Sequence, residues 1–321
     1  MLYAKIVLKK CLCLKRNERF LIITDSKLCR ISMDFLNQAK KITDKVKLIK
    51  IPIAKVNGVE PPKDVAEEMM KCDAGLFITA KSLTHTQARK NACEHGARIA
   101  TMPGINKGIL KRAIKINYAK LKKFNMKLAG ILNRGKKVSI KTKVGTDINF
   151  SIKGRKAYGT NSGIYNRKGS FGNLPSGEVF IAPVEGTANG IFVADASFAG
   201  IGKLTKPISV HVKDGYAYEI IGNKAKKLEM LLDSAGKNAR NIAEFGIGTN
   251  KKAKVSGIVL EDEKAIGTCH IALGNNFGFG GKINVPLHID GIIKSPSITV
   301  DGKKIMEFGR FTMIKPRKSC R

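Results

Sequence analysis

Between Glu18 and Ile114, short apolar runs alternate with segments of helical spacing. This rhythm constrains the fold more than any other feature, because strands separated by a helix-long crossover pair in parallel, whereas strands joined by tight turns do not. The spacing predicts strands at 20–24 (FLIIT), 46–51, 74–79 (AGLFIT) and 98–101 (RIAT). It predicts helices at 32–41, 64–71 and 84–95, and one or two more within 107–133. After Gly135 the rhythm changes: segments 137–142 and 147–152 alternate in strand fashion, glycine becomes frequent, and a helical pattern survives clearly only at 223–234. The expected fold class is α/β, with a doubly wound, Rossmann-like parallel sheet domain over 1–135. A mainly β (α+β) domain is expected over 136–321.

Composition narrows the class. With 43% apolar and 26% charged residues the chain is not a disordered polymer. No window approaches the roughly 18 uncharged apolar residues of a membrane span, and Lys and Arg interrupt the apolar stretches of the first twenty residues. The expectation is a cytoplasmic protein without a membrane partner. Seven scattered cysteines, at 11, 13, 29, 72, 93, 269 and 320, lack paired CxxC spacing and are expected to be reduced thiols, with Cys11 and Cys13 read as alternating strand residues. The net charge of +34 would attract nucleic acid through the field of the whole molecule. That excess is spread along the chain, with 6% aromatics and no Trp to stack bases, so a lysine-rich solvated surface is at least an equal reading.

The segment with most chemical content is Pro286-Leu287-His288-Ile289-Asp290-Gly291. Side chains alternate along a strand, so His288 and Asp290 share one face at roughly 6–7 Å between Cα atoms, with Leu287 and Ile289 on the other. An imidazole and a carboxylate so placed can share one divalent ion. Upstream, Gly267–Gly274 (GTCHIALG) reads as a second strand with His270 facing away from Cys269 and Ile271, and a loop of asparagine, phenylalanine and glycine (275–281) joins the two. A single histidine in such a setting is more often a satisfied, half-buried residue. Two of only five histidines on neighbouring strands, one of them in an HxD pair, make a metal site an equal alternative. Glu178 and Glu244 each interrupt an apolar run, where a nearby cation would relieve the cost of an unpaired carboxylate. His85 follows the strand AGLFIT, with Thr84 expected to cap the next helix. It would then sit at that helix's N-terminus as a neutral imidazole able to act as general base, although a surface histidine in a first helical turn is the commoner case.

NLPSGEVFIAP at 173–183, CHIALG at 269–274 and HID at 288–290 resemble the metal-binding motifs of the aminopeptidase T family of dinuclear metallopeptidases, over most of residues 170–300. The resemblance implies an α/β domain followed by a catalytic domain, a homodimer, and metal ligands Glu178, Glu244, His270, His288 and Asp290, with Glu244 in the looser context AEFGIG. The family carries a catalytic tyrosine seven residues after the histidine of CHIALG; Phe277 stands there, without a hydroxyl. The spacing from His270 to His288 is also shorter than in the family. A related branch, resembling 2,5-dihydroxypyridine dioxygenase, implies a single iron held by His270, His288 and Asp290.

The leading expectation is an aminopeptidase-like hydrolase with one or two divalent metals (zinc, cobalt, manganese or iron), in which Glu178 or Glu244 takes a proton from metal-activated water that attacks an N-terminal peptide bond. The first alternative is a non-haem Fe(II) ring-cleaving dioxygenase using the same triad on a small aromatic molecule. The second is a basic nucleic-acid-binding protein with a vestigial site, whose binding would fall steeply with salt and survive loss of His288.

Overall fold

The computed structural model of the chain describes residues 1–160 and 162–313. It divides into two compact units: Met1–Ala119 with Asn161–Ser176, and Lys120–Thr160 with Gly177–Arg321. A single boundary near 135 was expected from the change of rhythm. The helix Tyr118–Arg134 accounts for part of the difference, because Leu128, Ala129 and Leu132 are buried in the second unit's core.

The first unit holds a five-stranded sheet in the order Val46–Lys50, Phe20–Thr24, Ala74–Ile78, Arg98–Thr101, Phe171–Asn173, with every pair parallel. The first crossover runs one way and the later ones the other, which is a doubly wound order. Phe20–Thr24 and Ala74–Ile78 are buried at every position, as strands covered on both faces must be, and their sequences are accordingly continuous apolar runs. Helices Cys29–Ala39, Lys63–Lys71 and Gln87–Glu94 form the crossovers between the first four strands.

Two local expectations are corrected here. Cys11 and Cys13 are not strand residues: the chain is helical over Leu2–Ile6 and Val7–Cys11, and Cys13 follows at a φ of 49°. Tyr3, Ala4, Val7, Leu8, Cys11 and Leu12 are buried, a 3–4 residue spacing that fits a helix and excludes a strand. Thr84 does not cap a helix either. Its hydroxyl meets that of Thr101 at 2.7 Å and accepts from Asn173 Nδ2, so the cap falls to Thr86, which accepts from the Arg89 N–H. His85 is exposed and precedes the cap, outside the helix Gln87–Glu94 and its first turn. Among the described residues the cysteines at 11, 13, 29, 72, 93 and 269 are free thiols, and Cys320 lies outside those residues. No described helix is long and apolar enough to cross a membrane.

The second unit is built on two antiparallel sheets. One runs in the order Gly202–Lys203, Ser197–Phe198, His288–Lys294, Thr268–Gly274, Ile242–Gly248, Glu178–Ile181; the other has eight strands. Val179, Ile181, Phe245, Ile247, Cys269, Ile271, Leu273, Ile289 and Ile293 of the six-stranded sheet join one core with Val138, Ile140, Ile148 and Phe150 of the eight-stranded one. One face of the six-stranded sheet is thereby fixed as core, and strand alternation sends the residues between them to the opposite face.

In the first unit, Arg98 is buried, donates through both terminal guanidinium nitrogens to Glu18 at 3.0 and 2.7 Å, and holds the Leu12 carbonyl through Nε. Glu18→Ala should lower stability by about 3–5 kcal/mol, because it strands a buried guanidinium. A denaturation midpoint shifted by the equivalent of less than about 1 kcal/mol would show that the pair carries no weight.

Candidate metal centre

Glu178, Glu244, His270, His288 and Asp290 all stand on the face of the six-stranded sheet opposite the core. The register places a small residue across from each of them. Glu178 pairs with Gly248, His270 with Gly246, His288 with Gly274, and both Glu244 and Asp290 with Ala272. The functional side chains therefore lean toward one another over neighbours without bulk. At Gly246 the need is absolute: a Cβ there would lie 2.0 Å from His270 Nε2.

The side chains form two overlapping triplets, Glu178–Glu244–His270 and Glu244–His288–Asp290, with ligand atoms in each within 4.8 Å of one another. Glu244 is the shared member. Its Oε1 lies 3.1 Å from His270 Nε2 and its Oε2 3.5 Å from His288 Nε2. His270 Nε2 also faces Glu178 Oε2 at 3.7 Å, and His288 Nε2 faces Asp290 Oδ1 at 3.5 Å.

This arrangement fits a cation. His288 Nδ1 lies 2.8 Å from the Asn275 carbonyl, which can only accept, so Nδ1 carries the proton and Nε2 presents its lone pair to two carboxylates. Acceptors then face acceptors unless a proton or a metal ion lies between them. His270 is 1% exposed and its Nδ1 has no hydrogen-bond partner among the described residues, so the ring is oriented by what its Nε2 meets and by the hollow over Gly246. Without a metal the histidines must supply the positive charge. Burial pushes His270 down, but the hydrogen bond that it donates to Glu244 and the charges of Asp290 and Glu178 outweigh it and hold it up at about 9. Burial likewise opposes, and Asp290 and Glu244 overcome, in raising His288 to about 10. Burial also works against ionisation of Asp290, yet the two imidazoles and Lys264 keep its carboxyl well below the usual range.

The sequence reading missed three features of the surroundings. Lys264 is 2% exposed and donates to Glu178 Oε1 at 2.6 Å and Glu263 Oε1 at 2.5 Å. In the sequence it sits in EDEK, a charge run indistinguishable from a solvated turn. Tyr158 stacks on Phe180 at 5.5 Å, and Phe279 meets Tyr158, Phe180 and His288 edge-on, building an aromatic wall beside the centre. The loop after His270 is also well anchored: Asn276 is fully buried, donates to Glu185 and accepts from the Ile283 N–H, while Phe277 is 64% exposed. His85 lies in the first unit and makes no part of these triplets.

Over residues 24–313 the chain matches the family described as NicX: 2,5-dihydroxypyridine 5,6-dioxygenase. The chain belongs to this family of enzymes. The fold seen here is shared with two solved structures. The 2,5-dihydroxypyridine dioxygenase of Pseudomonas putida KT2440 is 17% identical, with 98% of this chain and 97% of that one covered and a TM-score of 0.81. Wild-type AmpT of Thermus thermophilus is 19% identical, with 97% and 98% covered and a TM-score of 0.71. No curated protein shows a significant sequence match. The NicX assignment bears out the resemblance to the aminopeptidase T family and its dioxygenase branch, and the α/β architecture expected from the sequence.

Two outcomes follow. Gly246→Ala should lower metal affinity at least about tenfold while leaving the circular dichroism spectrum intact, since an ordinary strand residue tolerates alanine and only the His270 ring is displaced. Because His270 and His288, held up at about 9 and about 10, must lose their protons to bind a metal, binding at neutral pH should release protons. Affinity should rise with pH until those values are passed, as calorimetry in buffers of different ionisation enthalpy would read. A pH-independent affinity would mean that the imidazoles are not ligands.

Proposed function

We propose that this chain is a ring-cleaving dioxygenase that uses one iron(II), held by His270, His288 and Asp290, on a small hydroxylated nitrogen-heteroaromatic compound such as a dihydroxypyridine. The observation that carries the reading is the match to the NicX family across residues 24–313, which includes every strand of the centre. Phe277, which has no hydroxyl to donate to an oxyanion, weakens the case for peptide hydrolysis. The aromatic wall of Tyr158, Phe180 and Phe279 beside His288 suits a planar ring.

A bound iron(II) would supply the one-electron chemistry that lets dioxygen react with the ring. Both oxygen atoms enter the product, so no external reductant is needed. The protein's part is to orient and to move a proton. The Asn275 carbonyl fixes the His288 tautomer, and the hollow over Gly246 fixes the His270 ring. Glu244, the acid shared by both triplets, is placed to accept the proton that a ring hydroxyl loses on binding.

One observation favours hydrolysis instead: two triplets sharing a carboxylate is the geometry of a two-ion centre. The homodimer is part of the proposal in either case.

Anaerobic loading with iron(II), followed by oxygen-electrode measurement with 2,5-dihydroxypyridine, should give substrate-dependent oxygen uptake. His270→Ala and His288→Ala should each weaken iron binding by at least about 100-fold and remove the uptake. Iron-loaded protein that consumes no oxygen with any hydroxypyridine, yet releases amino acids from peptides with zinc or manganese, would overturn the dioxygenase in favour of the peptidase.

A further inference from the structure

Lys264 is a buried ammonium set into a cluster of metal-ligating side chains, and the mechanism above makes no use of it. Its place is built by the backbone. Lys264 follows the short helix Val259–Asp262, its N–H donates to the Glu261 carbonyl at 3.0 Å, and its own carbonyl accepts from the Asn250 N–H at 2.8 Å. The turn beneath it is pinned by Asp262, which accepts from the N–H groups of Ser256 and Gly257 and from the Ser197 hydroxyl, and by Glu261, which accepts from the Lys254 N–H. The ammonium is therefore delivered to its position and has little freedom to leave it.

From there Nζ takes Glu178 Oε1 at 2.6 Å, while Oε2 of the same carboxylate faces His270. Any cation seated in the Glu178–Glu244–His270 triplet would have to share the Glu178 carboxylate with a buried ammonium. Lys264 pairs with Glu178 and Glu263 and leaves His270, His288 and Asp290, the three proposed ligands, to a single ion.

We propose that the Lys264 ammonium takes the place of a second metal ion, so that the centre holds one ion and Glu178 serves as the counter-ion of Lys264. The five acidic and imidazole side chains thus keep a two-ion layout while one of the two positive charges is supplied by the chain itself. This rests on the metal-centre reading given above and deepens it: Lys264 sets the metal count, and with it which kind of chemistry the shared scaffold performs.

The test is metal stoichiometry by equilibrium dialysis against Zn²⁺, a redox-inert probe, with elemental analysis of the full-length protein. The wild type should bind one ion per chain. Lys264→Met, which removes the charge and keeps the bulk, should bind two, and Lys264→Arg should stay at one. Glu178→Gln should keep the single ion, which makes the proposal testable even if Lys264→Met does not fold. Two ions in the wild type, one ion in folded Lys264→Met, or loss of the ion in Glu178→Gln would each overturn it. No ion in the wild type would overturn it together with the metal centre. One Zn²⁺ in the wild type and two in Lys264→Met, in a protein that shows no iron-dependent oxygen uptake, would remove the dioxygenase and leave the role of Lys264 standing.

Discussion

The imidazole of His270 lies where a side chain at position 246 would be, and the cluster of acidic and imidazole groups depends on that empty space. Neighbouring strands bring side chains on one face close together, and five large polar groups in adjacent registers would ordinarily crowd one another. Here Gly246, Gly248, Ala272 and Gly274 stand across from them, so the sheet face carries a shallow hollow. The other face of the same strands is packed with Ile, Val, Phe and Leu, which makes the backbone under the hollow stiff. A rigid sheet whose pattern alternates core with polar groups holds ligands more reproducibly than loops can.

Charge sets the second requirement. Glu178 and Glu263 flank a single buried lysine beside Glu244 and Asp290, and burial is severe enough to push the Glu263 carboxyl up to about 8 despite Lys264 next to it. Such a set is costly unless cations or protons compensate it. Without a metal the two histidines compensate by holding protons, which is why their basicity is raised although His270 is buried and His288 half-buried. Metal binding and proton release are then two sides of one exchange.

How far the sequence carried the argument depended on whether a feature was periodic. The parallel-sheet rhythm and the polar-apolar alternation of CHIALG and HID were legible, because period-2 and period-3.6 patterns are imposed directly by which face meets the core. The first twelve residues also carry a helical period, at Tyr3, Val7, Cys11 and their neighbours, but the intervening lysines and the CxC pair blur it. Thr84 and Thr86 are equally good caps on propensity alone, and the choice between them is made by Thr101 and Asn173, far away in sequence. Lys264 had no local signal at all, since its partner Glu178 lies 86 residues away and EDEK looks like a surface turn. The glycines opposite the ligands were visible in EFGIG and ALG, but their purpose appears only once the register pairs them.

The fifth strand of the parallel sheet, Phe171–Asn173, belongs to a segment that comes after Lys120–Thr160 has been laid into the other unit. On a ribosome, the buried strand Arg98–Thr101 therefore emerges well before its neighbour exists and must wait with one edge unpaired. A fragment cut near residue 120 or 135 would lack this fifth strand and keep the edge of Arg98–Thr101 open. A rearranged chain in which 162–176 follows the first four strands directly would restore contiguity and let the sheet close as it is made.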